Sequence, residues 1–425
     1  MPLLVLHISD IHFRFPQCTT DMDPERPYRT ALLADVDRMV NEFGPIGAIL
    51  VTGDIAFQGL KAEFDSALIW LIELAKVARC GREDVYVVPG NHDVDRTVVS
   101  NNLAVRNAQR IIASAESNKR SRELAAQLGD AEAGPALFRP LSAYNDFAAN
   151  FRCQVFPAKP RWIQDIRLTN EVTLRLHGLT STVLSGMNGD DKKGALLMGD
   201  WQLAVDPVDH VVNAVLAHHP PDWFCDCDEV DDAVQERASI HLFGHKHRQR
   251  IVQEANYVRY SAGAVNPDQG EPKWQPGYNI VSLSVEAEGG RRFLRICSHI
   301  REWQSNPDRF RARVTSTDAT VFDHRLQVRG TFVDDPPVTE SPIVALTEPQ
   351  ATPMTAPETK NLILRFWALS SSQRRDVCFR LGVLERDDLL IPEPERYARA
   401  LELIGERGLT DKLVAEVSNL EPGNR

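Results

Sequence analysis

Apolar and polar positions fall into two regimes along the chain. Up to Ile300, short aliphatic and β-branched runs alternate with stretches of helical periodicity. The runs predict strands at Leu3–Ile8, Ala48–Thr52, Val85–Val88, Val172–Leu176, Val211–Ala217, Ser239–Phe243 and Tyr257–Tyr260. Short apolar runs bounded by turn residues suit strands buried on both faces. A late hairpin is predicted from Asn279–Val285 and Arg292–Ile296, with Glu288-Gly289-Gly290 near its turn. Helices are predicted at Thr30–Glu42 and at Ala62–Ala78. In the second, Leu68, Ile69, Leu71, Ile72 and Ala75 recur at helical spacing and Gly81 marks the stop. This β-α-β-α order predicts an α/β layered domain.

Residues 101–150 break the alternation. They are rich in Ala, Arg, Glu and Gln and hold no strand-like run, so one long helix or a helical pair is expected, inserted between core strands as a cap. A second change comes at 314–359, where Pro336, Pro337, Pro342, Pro349, Pro353 and Pro357 crowd a stretch rich in Thr, Glu and Ser. Such a segment buries too little apolar surface to offset its ordering entropy and reads as a linker. Helical patterning then returns at Asn361–Leu369, Ser371–Leu381, Glu395–Arg407 and Asp411–Leu420. Leu362, Ile363, Phe366, Trp367, Leu381, Leu401, Leu403, Leu413 and Val417 are its expected core. The expected organisation is therefore an α/β domain over 1–313, a linker over 314–359, and a small all-α bundle over 360–425.

Charge and cysteine usage narrow the function classes. The 48 basic and 59 acidic residues leave a net charge of −11, which disfavours a broad face for duplex nucleic acid. No apolar run reaches the length of a membrane helix. The start MPLLVLHISD has no basic residue, and its apolar run breaks early, so it reads as a strand and not a leader. With seven scattered cysteines, an odd number, free thiols in a reducing cytoplasm are expected.

Five polar blocks carry the chemistry: Asp10-Ile-His12, Gly53-Asp54, Gly90-Asn91-His92-Asp93, His218-His219-Pro220 and Gly244-His245-Lys246-His247. Each follows an apolar, strand-like run. In α/β sheets ligands collect beyond the carboxyl ends of strands, so the five would converge on one cleft. Imidazoles and carboxylates with one amide oxygen and no thiolate suit borderline divalent ions such as Mn, Fe, Zn or Co. Seven donors exceed one tetrahedral ion and suit a pair, with Asp54 able to bridge through its two oxygens. Any one block alone is an ordinary turn cluster; their joint order is what argues for a site.

That order, D-x-H, G-D, G-N-H-D, H-H-P, G-H-x-H, resembles the calcineurin-like metallophosphoesterase superfamily over about residues 3–265. The resemblance implies a β-sandwich flanked by helices with a dinuclear metal centre. It implies Asp10, His12, Asp54 and His247 at one metal, and bridging Asp54, Asn91, His218 and His245 at the other. His92 would be the catalytic histidine that binds no metal, acting with Asn91 on developing charge and the leaving oxygen. HHPP, with GLTST at Gly178–Thr182, looks most like the cyclic-nucleotide-phosphodiesterase branch. His218 is taken as the ligand over His219, which faces either the pocket or the core. Asp93 is a candidate to orient the His92 ring, and Trp223 is a lid or a packing residue.

The tail, residues 358–422, resembles small helical effector-associated or death-like adaptor domains of bacterial conflict and signalling systems. The whole then reads as a metal-dependent phosphoesterase, acting on phosphodiesters with monoesters as a second class, tethered to a protein-binding module. Nuclease action and a non-catalytic binding scaffold are the alternatives. The expected partners are a phosphoester, with nucleotides among the candidates, and a protein bound through the tail. No membrane is expected, and nucleic acid is not favoured. Cys225-Asp-Cys227 lacks a second pair at zinc-site spacing and is set aside. Asn188–Gly194 reads as a surface turn whose Asn and Lys side chains reach the cleft mouth.

Overall fold

The computed structural model describes residues 2–267, 275–314, 318–332, 356–369, 371–385, 388–389, 391 and 393–420. The strands are β1 (Leu3–Ile8), β2 (Ala48–Val51), β3 (Val85–Val87), β4 (Arg161–Arg167), β5 (Thr173–Leu179), β6 (Val211–Ala217), β7 (Ile240–Phe243), β8 (Arg250–Gln253), β9 (Val258–Ser261), β10 (Gly277–Glu288), β11 (Arg291–Gln304), β12 (Arg309–Ala312) and β13 (Phe322–Gln327). The helices are α1 (Arg26–Phe43), α2 (Lys61–Val77), α3 (Arg96–Asn101), α4 (Leu103–Ser114), α5 (Arg120–Gly129), α6 (Ala133–Phe138), α7 (Ser142–Ala148), α8 (Cys227–Arg237), α9 (Ala356–Ala368), α10 (Ser371–Arg380), α11 (Glu393–Glu406) and α12 (Thr410–Ser418).

Two mixed sheets with flanking helices form the large unit, Met1–Glu286 with Arg292–Arg329. One sheet runs β12-β11-β10-β1-β2-β3, with β13 also on β11; the other runs β4-β5-β6-β7-β9-β8. β1, β2 and β3 are mutually parallel, as are β5, β6 and β7. Their sequences lack alternation because β2, β3 and β7 are buried at every residue and β1 and β6 at all but the first. The sheets are cross-linked where the core is polar: Trp162 Nε1 donates to the Val87 carbonyl at 2.9 Å, and Tyr260 Oη meets Ser298 Oγ at 2.7 Å. Buried Asp35 fastens α1 to β10 and β11. It accepts from Arg301 Nε (2.7 Å), Arg301 Nη2 (2.9 Å) and Tyr278 Oη (2.6 Å).

The structure departs from the sequence expectations in three places. Residues 101–150 form short helices, part of the run α3–α7, and not one long helix or a pair. Asn102 breaks the first stretch by capping α4, accepting from the N–H of Ala104 at 3.0 Å and Val105 at 3.3 Å. Asp130, which ends α5, turns the chain before α6 by accepting from the N–H groups of Glu132 and Ala133. Second, the start of the expected linker holds β13, paired in register with β11 from Phe293↔Gln327 to Ser298↔Phe322. Its charged outer face hid an alternation that buries Leu326. Residues 333–355 of that linker lie outside the described residues. Third, β4, β8 and β12 had no sequence expectation, since half their side chains are polar and face solvent.

The small unit is Ala287–Arg291 with Gly330–Arg425. Its helices enclose a core of Leu362, Phe366, Leu369, Val377, Cys378, Tyr397, Ala400, Ile404, Leu413 and Val417, with Trp367, Leu381, Leu401 and Leu403 partly buried against it. Ile363, expected in that core, is instead 37% exposed.

Candidate metal centre

The five blocks leave β1, β2, β3, β6 and β7 at their carboxyl ends, and backbone hydrogen bonds lace the turns together. Asp10 N donates to Gly53 O (3.0 Å), Ile11 N and His12 N to Asp54 O (2.8 and 3.0 Å), and Gly244 N to His218 O (3.0 Å). Two motif glycines are needed for this closeness. A Cβ on Gly90 would lie 2.2 Å from Asp54 Oδ1, and one on Gly53, at φ +87°, would lie 2.7 Å from His218 Nδ1. Asp10, His12, Asp54, His245 and His247 all adopt left-handed φ between 50° and 68°. Such backbone costs about 1–3 kcal/mol per non-glycine residue, so the fold spends stability to turn these side chains inward.

The side chains form two facing groups. In one, Asn91 Oδ1 lies 3.0 Å from both His218 Nε2 and His245 Nδ1, which are 3.2 Å apart. Asp54 Oδ2 lies 3.2 Å from His218 Nε2. In the other, Asp10 Oδ1 is 3.1 Å from His247 Nε2, and the His12 and His247 rings meet edge-on at 5.5 Å. Asp54 Oδ2 also faces His12 Nε2, at 3.9 Å, so this carboxylate stands between the groups.

The residues fit divalent ions. Donors at about 2.1 Å from one ion lie about 3.0–3.4 Å from each other, which is the spacing of the Asn91, His218, His245 and Asp54 atoms. Both ring nitrogens of His12 are buried and have no hydrogen-bond partner among the described residues. Burial holds the His12 and His245 imidazoles near pKa 3, in the neutral form that ligates. Burial pushes the Asp54 carboxyl up, but His218, His92 and His12 outweigh it and keep it well below the usual range. For His218 burial acts downward, and the Asp54 carboxylate raises it to about 9.

His92 is half-buried beside this array, its ring edge-on to His12 at 4.8 Å. Its orientation comes from Phe57, a residue without a sequence signal because it acts partly through its backbone: the Phe57 carbonyl meets His92 Nδ1 at 2.8 Å and the Phe57 ring stacks on the imidazole at 4.9 Å. Asp93, the sequence candidate for that task, is engaged elsewhere. It accepts from the N–H groups of Ile55 (2.9 Å), Ala56 (2.8 Å) and Gly90 (2.8 Å), so it braces the turns that carry Asp54 and Asn91. Burial, then the Asp54 carboxylate, pushes it up to about 8. His219 is fully buried, with Nδ1 2.9 Å from Ser181 Oγ and Nε2 3.6 Å from Asp191 Oδ2. Trp223 packs edge-on against His245 at 3.9 Å, a packing residue of the site itself. Away from the site, no disulfide joins Cys225, Cys227 or any of the other five cysteines. No helix among the described residues is long and apolar enough to cross a membrane.

A family model for calcineurin-like phosphoesterases matches residues 3–249, and one for the GTPase-associated adaptor domain matches residues 358–419. No curated protein matches the chain. Similar solved structures include GAP50 of Plasmodium, at 11% identity and TM-score 0.39, covering 78% of this chain and 90% of that one. Vps29 of Chaetomium thermophilum aligns at 9% identity and TM-score 0.28, covering 77% and 99%. Zinc-bound Vps29 of Entamoeba histolytica aligns at 11% and 0.26, covering 76% and 99%.

Proposed function

The chain belongs to the calcineurin-like phosphoesterase family, and we propose that its large unit is a dinuclear metal-dependent hydrolase of phosphodiesters, with phosphomonoesters as a secondary class. The observation that carries this reading is the convergence of Asn91 Oδ1, His218 Nε2, His245 Nδ1 and Asp54 Oδ2 at 3.0–3.2 Å, with Asp54 turned also toward His12. Asp10, His12, Asp54 and His247 would hold one ion, and Asp54, Asn91, His218 and His245 the other. A bound pair of Mn, Fe, Zn or Co ions supplies an activated water and neutralises phosphate charge.

The chain's own residues do the rest. His92, with Nδ1 held on the Phe57 carbonyl, presents Nε2 to the cleft, where it gives a proton to the leaving oxygen. Asn91 and His92 stabilise the charge that develops on the phosphate oxygens. The insertion acts as a cap on substrate choice. Gln109 of α4 ties it to the segment that follows β5 by donating to the carbonyls of Val183 (3.0 Å) and Ser185 (3.2 Å). The helical unit recruits a partner protein carrying a similar helical domain, and its tether raises the effective concentration of hydrolase at the target. Seven cysteines outside any disulfide and this adaptor suit a cytoplasmic enzyme of bacterial signalling or defence.

The test is a screen of Mn-loaded full-length protein against cyclic nucleotides, a bis-aryl phosphodiester, an aryl monoester and single-stranded DNA. Diester turnover well above monoester turnover is expected. Cleavage of DNA alone would make the protein a nuclease, and no turnover with any substrate would make it a binding scaffold.

A further inference from the structure

The turn after HHPP and the segment Asp190–Leu196 are joined by a short backbone ladder. Gly194 N and Leu196 N both donate to the Trp223 carbonyl, at 3.1 and 3.2 Å, and Cys225 N donates to Leu196 O at 2.9 Å. Trp223 is the residue packed on His245, so this ladder stands at the edge of the metal-ligand array. It places Lys193 Nζ 2.9 Å from Asp222 Oδ2. Lys246, which lies in the chain between His245 and His247, reaches the same carboxylate from the other side, 2.7 Å from Oδ1 and 2.8 Å from Oδ2.

One carboxylate therefore serves two ammonium groups. Asp190 is paired with Arg96 at 2.6 Å, and Asp191 faces His219 beneath the surface. Lys192, next in the segment, is exposed. At this edge of the array Lys193 and Lys246 thus share a single carboxylate. Lys193 is 67% and Lys246 33% exposed at the side chain, so each can swing from Asp222 to an arriving anion. Lysine suits that task, being a compact charge with rotatable donors on a flexible stem.

Resting on the phosphoesterase reading above, we propose that Lys193 and Lys246 form a subsite for a second phosphate, so that the preferred substrates are phosphodiesters bearing a further phosphate group. Asp222 holds the two lysines at the rim and tempers their charge when no substrate is present.

The test is calorimetric binding of thymidine 5′-monophosphate and thymidine 3′,5′-bisphosphate to Mn-loaded full-length protein, with metal content measured for each variant. The bisphosphate should bind more tightly. Lys193→Ala and Lys246→Ala should each reduce the affinity ratio about threefold, the worth of a solvent-exposed ion pair, and Asp222→Asn should raise it. Added salt should shrink the ratio in the wild type. An unchanged ratio in Lys193→Ala and Asp222→Asn, with metal retained, would overturn the subsite. If Lys246→Ala loses metal, those two variants still decide. Because binding needs no turnover, a preserved ratio in a protein that hydrolyses no diester would reject the hydrolase reading and leave the subsite standing.

Discussion

Arg396 in the small unit and His12 in the large one are both almost completely buried, yet they are treated in opposite ways. The Arg396 guanidinium is matched by backbone: Nε donates to Asp388 O at 3.0 Å, and Nη2 to Leu389 O at 2.9 Å and Ile391 O at 2.7 Å. His12 has two buried ring nitrogens with no hydrogen-bond partner among the described residues and sits on left-handed backbone. A buried polar group that is satisfied supports the fold, whereas one left unsatisfied and strained costs stability that only a ligand can return. At Arg396 the buried polar group closes the structure; at His12 it leaves the structure open to an ion.

The comparison can be broken most severely at Asp54, the carboxylate shared by both groups of donors. Asp54→Ala should lower diester turnover by roughly 10⁴-fold or more, since residues acting as one unit fail together. Steady-state kinetics that show a loss under tenfold would mean that the two groups act independently. Next comes His92→Ala, where turnover should fall roughly 10²–10⁴-fold, the usual worth of a general acid, while metal content stays at the wild-type value. The loss should be larger for alkyl than for activated aryl leaving groups; equal losses would deny His92 the acid role. The smallest effect on catalysis should come from Arg396→Met. Removing the guanidinium takes a donor from the Leu389 and Ile391 carbonyls, while the Asp388 carbonyl keeps the Ile391 N–H, and should cost the small unit about 2 kcal/mol, seen as a lower melting step. Turnover of small diesters should not change, nor should it in a chain ending at Phe332. A fall in turnover in either would make the helical unit a structural part of the enzyme.

Much of this contrast was legible in the sequence, for different reasons in each unit. The five polar blocks stand out because each interrupts an apolar strand, and the structure brings all seven candidate donors into two adjoining groups. The helices of the small unit were legible from periodicity, with ends within a few residues, although Ile363 faces outward. Phe57 was hidden because a backbone carbonyl has no residue signature, and Asp93 was misread because its neighbour in sequence, His92, is not its partner in space. The segmentation of 101–150 turns on single side chains, Asn102 capping α4 and Asp130 bracing the turn before α6, that periodicity does not register. β13 was overlooked because charged residues on its outer face outweigh Leu326 within it. The left-handed backbone at Asp10, His12, Asp54, His245 and His247 is uncommon for any non-glycine residue, although Asp and His adopt it more readily than most, so only the assembled turns reveal it.

Whether these converging Asp, Asn and His side chains form a paired metal site is settled by counting ions. Elemental analysis of the full-length protein after Mn loading and removal of free metal should give two ions per chain. A single tightly held ion, or none, would contradict a dinuclear centre.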